Sequence, residues 1–217
     1  MMITVNQVSK RYPGGFEALS QVDFSLEKGE MVFLTGHSGA GKSTLLKLLA
    51  MLEKPSSGQI IVNGVHLNQL KKHDVAAYRS NLGITFQSPY LLQDRTVFDN
   101  VALPLQIQGV PSAMMTKRVH AALDLVGLLG KAKMLPYHLS CGEQQRLGIA
   151  RAVVHKPKLL LADEPTGNLD PTLAIEVMNL FEQFNEVGVA VLIATHDLAL
   201  IAKMKHRMVM LKGGRVC

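Results

Sequence analysis

Residues 30–52 read EMVFLTGHSGAGKSTLLKLLAML. Glu30–Thr35 is a short apolar run of the kind that forms a buried strand. Glycine-rich residues 36–41 follow. From Lys42 to Leu52 the spacing is helical, with Leu45, Leu46, Leu48, Leu49 and Leu52 as its apolar positions. Gly36-His37-Ser38-Gly39-Ala40-Gly41-Lys42-Ser43 fits G-x-x-x-x-G-K-[ST], and it sits in the required context, after a strand and opening a helix. Glycines let backbone N–H groups converge on an anion, and the helix N-terminus adds a favourable dipole. Lys42 is placed to reach β- and γ-phosphates, and the Ser43 hydroxyl suits Mg²⁺.

Further along the chain, similar strands alternate with helices. Lys158–Ala162 has no polar residue between Lys158 and Asp163, Val189–Ala194 is a third buried run, and Leu82–Phe86 reads as a strand. Helical spacing recurs in Gly142–His155, Leu173–Val187 and Asp197–Met204. Buried strands alternating with helices imply an α/β fold built on a parallel sheet. At the N-terminus Ile3–Val8 alternates like an edge strand, and Val22–Leu26 does the same. Arg207–Leu211 and Arg215–Val216 read as a closing hairpin around Gly213-Gly214. Residues from about 90 to 155 look like a helical subdomain inserted into a single domain spanning 1–217.

Several polar residues fall where such sheets place their chemistry. Leu159–Glu164 reads as an apolar strand ending in two carboxylates; Asp163 suits a magnesium ion held through water, and Glu164 suits polarising a water in line with a γ-phosphate. His196 follows the third buried run, at a strand C-terminus where open α/β sheets place their ligand crevice. Gln87 directly follows Leu82–Phe86; it reads either as a contact to Mg²⁺ or the attacking water, or as a surface amide. Ser140 with Glu143 has the spacing of a helix capping box, and the same helix start suits an anion.

Composition narrows the class without choosing the partner. The chain has 217 residues, 47% of them apolar, which supports a core and excludes disorder. Its two cysteines, Cys141 and Cys217, exclude a disulfide scaffold and fit a reducing compartment. A net charge of +6 suits an anionic partner. No apolar run approaches the roughly 20 residues of a spanning helix, and no export signal is expected at the N-terminus.

Together these motifs resemble the ABC-type ATPases, over the whole chain. Gly36, His37, Ser38, Gly39, Ala40, Gly41, Lys42, Ser43 and Thr44 resemble the family's Walker A, and 159–164 its Walker B with the catalytic glutamate. Gln87 falls at the Q-loop, Ser140–Gln144 at the signature, Asn168-Leu169-Asp170 at the D-loop and His196 at the switch histidine. Tyr12 falls where the family stacks an aromatic ring on adenine. Residues 35–40, 94–101, 127–133 and 162–170 look like the cell-division branch, although lipoprotein-release and macrolide-export ATPases share the last stretch.

The resemblance implies a RecA-like parallel core with an N-terminal antiparallel β part and the inserted helical block. It implies ATP and Mg²⁺ as ligands, with Glu164, His196, Gln87 and Lys42 catalytic and Ser43, Gln87 and Asp163 around the metal. It implies a head-to-tail homodimer on ATP binding, in which Ser140, Gly142 and the loop of Asp170 serve the partner's nucleotide. It also implies an integral membrane partner, no nucleic acid, a place on the cytoplasmic face of the bacterial inner membrane, and a role in activating peptidoglycan hydrolysis. One departure stands out: the signature has Cys141 where the family has glycine. If that position needs φ > 0 or close approach to phosphate, a Cβ is costly there, and the chain becomes a slow nucleotide-gated switch; if the backbone is ordinary, Cys141 is a neutral replacement.

Overall fold

The computed structural model describes residues 1–217. Two sheets share the fold. An antiparallel sheet holds β1 (Ile3–Arg11), β2 (Glu17–Leu26), β4 (Ser57–Val62) and β5 (Val65–His66) in the order β2-β1-β4-β5. A larger sheet has the order β10-β9-β3-β8-β7-β6. In it β3 (Met31–Thr35), β6 (Leu82–Thr85), β7 (Leu159–Asp163), β8 (Ala190–Ala194) and β9 (Arg207–Lys212) run parallel, and β10 (Arg215–Val216) turns back against β9.

The central parallel strands β3, β7 and β8 are apolar on both faces because both faces are covered, whereas β9 leaves Met208 and Met210 exposed. On β3 the side chains divide in strict alternation. Met31 and Phe33 join an apolar cluster with α6 (Pro171–Glu186) and the helical block, whereas Val32 and Leu34 join a second with α1 (Lys42–Leu49) and the antiparallel sheet. Strands β7 and β8 divide the same way, with Leu160, Ala162, Val191 and Ile193 on the first face and Leu159, Leu161, Leu192 and Ala194 on the second.

Between β6 and β7 the chain leaves the sheet to form α3 (Val97–Ile107), α4 (Ser112–Leu125) and α5 (Cys141–Val153). These helices bury Val101, Leu105, Leu123 and Leu147 in the same apolar cluster that covers the first sheet face. The remaining helices, α2 (Asp74–Arg79) and α7 (Leu198–Ile201), are short.

The architecture agrees with the parallel core, antiparallel N-terminal part and helical insertion read from the sequence. Its details correct that reading in places. Ile3–Val8 belongs to an interior strand, with β1 hydrogen-bonded to both β2 and β4. Alternation reports one buried face and carries no information about position in a sheet. Both N-terminal strands are longer than their apolar alternation, because bulges with positive φ at Gln7 and Gln21 shift the register partway along. Helix α1 stops at Leu49, and Met51 just beyond takes φ 55°.

Candidate functional site

The C-terminal ends of β3, β7 and β8 converge on one cavity of about 760 Å³. Its wall includes every residue from Gly36 to Thr44, together with Gln87, Glu164 and His196. The phosphate-loop geometry demands glycine at two points. A Cβ on Gly36 would lie 2.2 Å from the Leu211 carbonyl oxygen, and one on Gly41 2.6 Å from that of Ala18. Gly41 is also the N-cap of α1, at φ 106°, and no side chain caps this helix. Helices α3, α5 and α6 are capped by Thr96, Ser140 and Asp170. The first N–H groups of α1 are thus left for an anion at the positive end of the helix dipole.

Lys42 is buried, and its ammonium donates to the carbonyls of Gly36 at 2.8 Å and His37 at 3.3 Å. It also lies 3.6 Å from Glu164 Oε1. The Ser43 hydroxyl donates to Asp163 Oδ1 at 3.0 Å. Burial, with Glu164 alongside, pushes the Asp163 carboxyl above its usual range, against the opposing effect of the Ser43 hydrogen bond. A cation beside Asp163 would relieve that penalty. The Ser43 hydroxyl and Asp163 carboxylate are the hard oxygen ligands that Mg²⁺ takes one or two at a time, with water and phosphate filling the rest of its shell.

Glu164 has φ 47°, the left-handed region that a glutamate rarely adopts. Its backbone N–H donates to the Ala194 carbonyl at 2.8 Å, tying the end of β7 to the end of β8. The turn brings Oε1 to 2.8 Å from Nδ1 of His196, which is exposed. A carboxylate only accepts, so Nδ1 carries the proton in this contact. Strain of this kind clusters at functional sites, where the surrounding structure holds it in place.

The expected adenine-stacking residue, Tyr12, adjoins the wall residue Phe16, donating its N–H to the Phe16 carbonyl at 2.8 Å. Tyr12 is not part of the cavity wall; its hydroxyl donates to Glu53 at 3.0 Å and the Lys10 ammonium stands 4.9 Å from its ring centroid. The Lys10 contact also holds the Glu53 carboxyl below its usual range. The aromatic side chain in the wall is Phe16, 62% exposed. Sequence reasoning passed over it; an aromatic residue directly after the Gly14-Gly15 turn was the available signal.

Ser140, Gly142 and Asp170 are likewise outside this cavity. They sit at two helix starts that touch. A Cβ on Gly142 would meet Leu173 Cδ1 at 2.9 Å, and Arg146 pairs with Glu176 at 3.5 Å. Ser140 and Glu143 form the reciprocal capping box expected, while the Asp170 carboxylate accepts from the Thr172 and Leu173 N–H groups. Cys141 is the first residue of α5, is exposed, and is absent from the residues with positive φ. Its Cβ therefore costs no backbone strain.

A glycine loop on an uncapped helix, with paired carboxylates at the end of β7 two strands away in the same sheet, defines a phosphate-loop nucleotide hydrolase. Residues 19–167 match the ABC transporter family, and the chain belongs to it. It is an ABC ATPase, and it is 56% identical over 215 residues to the cell division ATP-binding protein FtsE of Escherichia coli (strain K12), covering 99% of this chain and 97% of that protein. Among solved structures it resembles a dimeric bacterial ABC transporter cassette, with TM-score 0.92 and 34% identity over 99% of this chain and 96% of that one. The same cassette in a post-hydrolysis dimer bound to ADP and phosphate gives TM-score 0.91 and 33% identity, with the same coverage. No helix of the chain is long and apolar enough to cross a membrane.

Proposed function

We propose that this chain is the ATPase subunit of an FtsE–FtsX type membrane complex, in which ATP hydrolysis activates peptidoglycan hydrolysis at the division site. The observation that carries the proposal is the 56% identity to FtsE along nearly the full length of both chains. The chain would be peripheral, held on the cytoplasmic face of the inner membrane by an integral FtsX-like subunit. The helical block of residues 90–155, with exposed Tyr90 and Leu92 at its border, is the surface we assign to that subunit.

In the nucleotide site, Lys42 and the N–H groups of residues 36–44 bind the phosphates. Phe16 at the cavity wall and Tyr12 beside it bracket the base. Ser43, Asp163 and Gln87 would hold Mg²⁺, which would screen phosphate charge. Glu164 accepts the proton of the attacking water, with His196 fixing its carboxylate at 2.8 Å. Ser140, Gly142 and Asp170 serve the nucleotide of a second copy in a head-to-tail homodimer, a reading supported by the likeness to a cassette solved as a dimer.

Affinity capture from membranes tests the assignment. The chain should retain an FtsX-like membrane protein in an ATP-dependent manner. Recovery of a lipoprotein-release or drug-export permease in its place refutes the division role and leaves the ATPase reading standing.

A further inference from the structure

The segment carrying Gln87 has little structure of its own. It leaves β6 at Thr85, and no helix or strand begins again until Val97. Its backbone is nevertheless held: Asn100 of α3 engages Leu92 and Arg95, and the half nearest Gln87 is held from one face of α5. Arg151 donates through Nη1 to the Tyr90 carbonyl at 3.1 Å and through Nη2 to the Pro89 carbonyl. Gln145, almost fully buried, donates to the Phe86 carbonyl at 3.4 Å. Between them Gly148 lies directly against Pro89, where a Cβ would come within 2.7 Å of the proline Cβ. Positions 145, 148 and 151 recur every three residues, so they stack on one helix face. Tyr90 takes φ 46°, a strained turn whose carbonyl is one of the two to which Arg151 donates.

We infer that Arg151 is a positioning residue for hydrolysis, clamping the Pro89 and Tyr90 carbonyls so that Gln87 is presented to the nucleotide cavity. The inference rests on the role proposed for Gln87. Its geometry has a consequence for the dimer. The clamp stands at the far end of the unbroken helix that begins at Cys141, about 15 Å along its axis from the signature turn. One rigid element thus joins the Gln87 loop of one site to the turn proposed to serve the other.

The test is a double-mutant cycle in the full-length protein, reading ATPase kcat and KM with thermal stability alongside. Arg151→Gln removes the fork that spans two carbonyls. It should lower kcat about 10- to 100-fold, the range for a displaced positioning group, with ATP KM within about twofold of wild type. Gly148→Ala keeps every hydrogen bond but pushes on Pro89, and should give the same kcat-specific loss. The decisive reading is the combination: Arg151→Gln with Gln87→Ala should be no slower than Gln87→Ala alone. Multiplying effects, an unchanged kcat in Arg151→Gln, or a KM rise in proportion to the loss each overturn the clamp. If Gln87→Ala alone keeps wild-type turnover, the role of Gln87 fails first and takes the inference with it. Should Arg151→Gln not fold, Gly148→Ala carries the same cycle with Gln87→Ala and the same criteria.

Discussion

Asp163 combines a cost to the fold with a use in the site, and the two separate under substitution. Its carboxylate is withdrawn from water at the end of β7, next to Glu164, with a single hydrogen-bond donor in Ser43. Burial pushes its pKa above the usual carboxylate range. A group with a raised folded-state pKa favours the fold fully only below its unfolded pKa, where it is neutral in both states. That contribution is lost as pH rises through the folded value. At neutral pH the ionised side chain is therefore a net burden on the protein without ligand.

Asp163→Asn removes the charge and keeps an oxygen to accept from Ser43. The expected gain is about 1 kcal/mol, typical of relieving strain at a functional site. For a chain of this size that corresponds to about 2–4 °C in Tm. The gap between variant and wild type should open as pH rises from about 4 to 7 and close on acidification, when wild-type Asp163 takes up its proton. Differential scanning fluorimetry across that range, without nucleotide, measures it. Adding Mg²⁺ and ATP should reverse the ranking, because only the carboxylate rewards the cation. The reasoning is refuted if Asp163→Asn melts below wild type at pH 7.5 without ligand, or if Mg²⁺–ATP stabilises both proteins equally.

Glu164→Gln should bind ATP and slow hydrolysis by at least about 100-fold, the low end for losing a general base, and accumulate as an ATP-bound dimer on size-exclusion chromatography. Wild-type turnover in that variant removes the base assignment. Gly83→Ala should cost about 1–3 kcal/mol by overpacking, because its Cβ would lie 2.6 Å from the Ala152 carbonyl oxygen and 2.7 Å from Leu160 Cδ1; an unchanged urea midpoint contradicts this. Cys141→Gly, which restores the family residue, should leave turnover within about twofold and lower stability by no more than about 1 kcal/mol, the usual difference between glycine and another residue in a helix. A tenfold rise in turnover would show that the side chain obstructs the partner's phosphate.

The parts of the site written in contiguous residues were legible in the sequence. Strand, glycine loop and helix at 31–49 form one local unit, so its residue types carry its geometry. The acidic end of β7 was less plain, since a solvated strand end fits the same residues, and the phosphate loop decided its reading. What escaped depends on contacts between distant segments. The left-handed turn at Glu164 has no local signal; a hydrogen bond to Ala194 on the adjoining strand helps hold it. Tyr12 was assigned to the base by position in the family pattern, but Glu53 and Lys10, which are remote in sequence or offset along the strand, engage its hydroxyl and ring. Phe16 stands in the wall beside it. The clamp at Arg151 was invisible for a further reason: it acts on main-chain carbonyls, which any residues at 89 and 90 would supply.

The same distinction between side chain and main chain bears on Cys141. At the start of α5 the Ser140 hydroxyl accepts from the Glu143 N–H at 3.3 Å, and the Gln144 N–H goes to the Ser140 carbonyl at 2.9 Å. The N–H groups of Cys141 and Gly142 belong to the first turn and have no partner within the helix. These are the donors that a helix start offers to an anion, and a cysteine offers the same N–H as a glycine. Gly142 is different. It is buried, and a Cβ there would press on Leu173 at 2.9 Å, where α5 meets α6. The two positions of the glycine pair thus answer to different constraints: 142 to helix packing, and 141 to keeping a small exposed residue over a free N–H. The departure in this chain falls at the position where the backbone tolerates it.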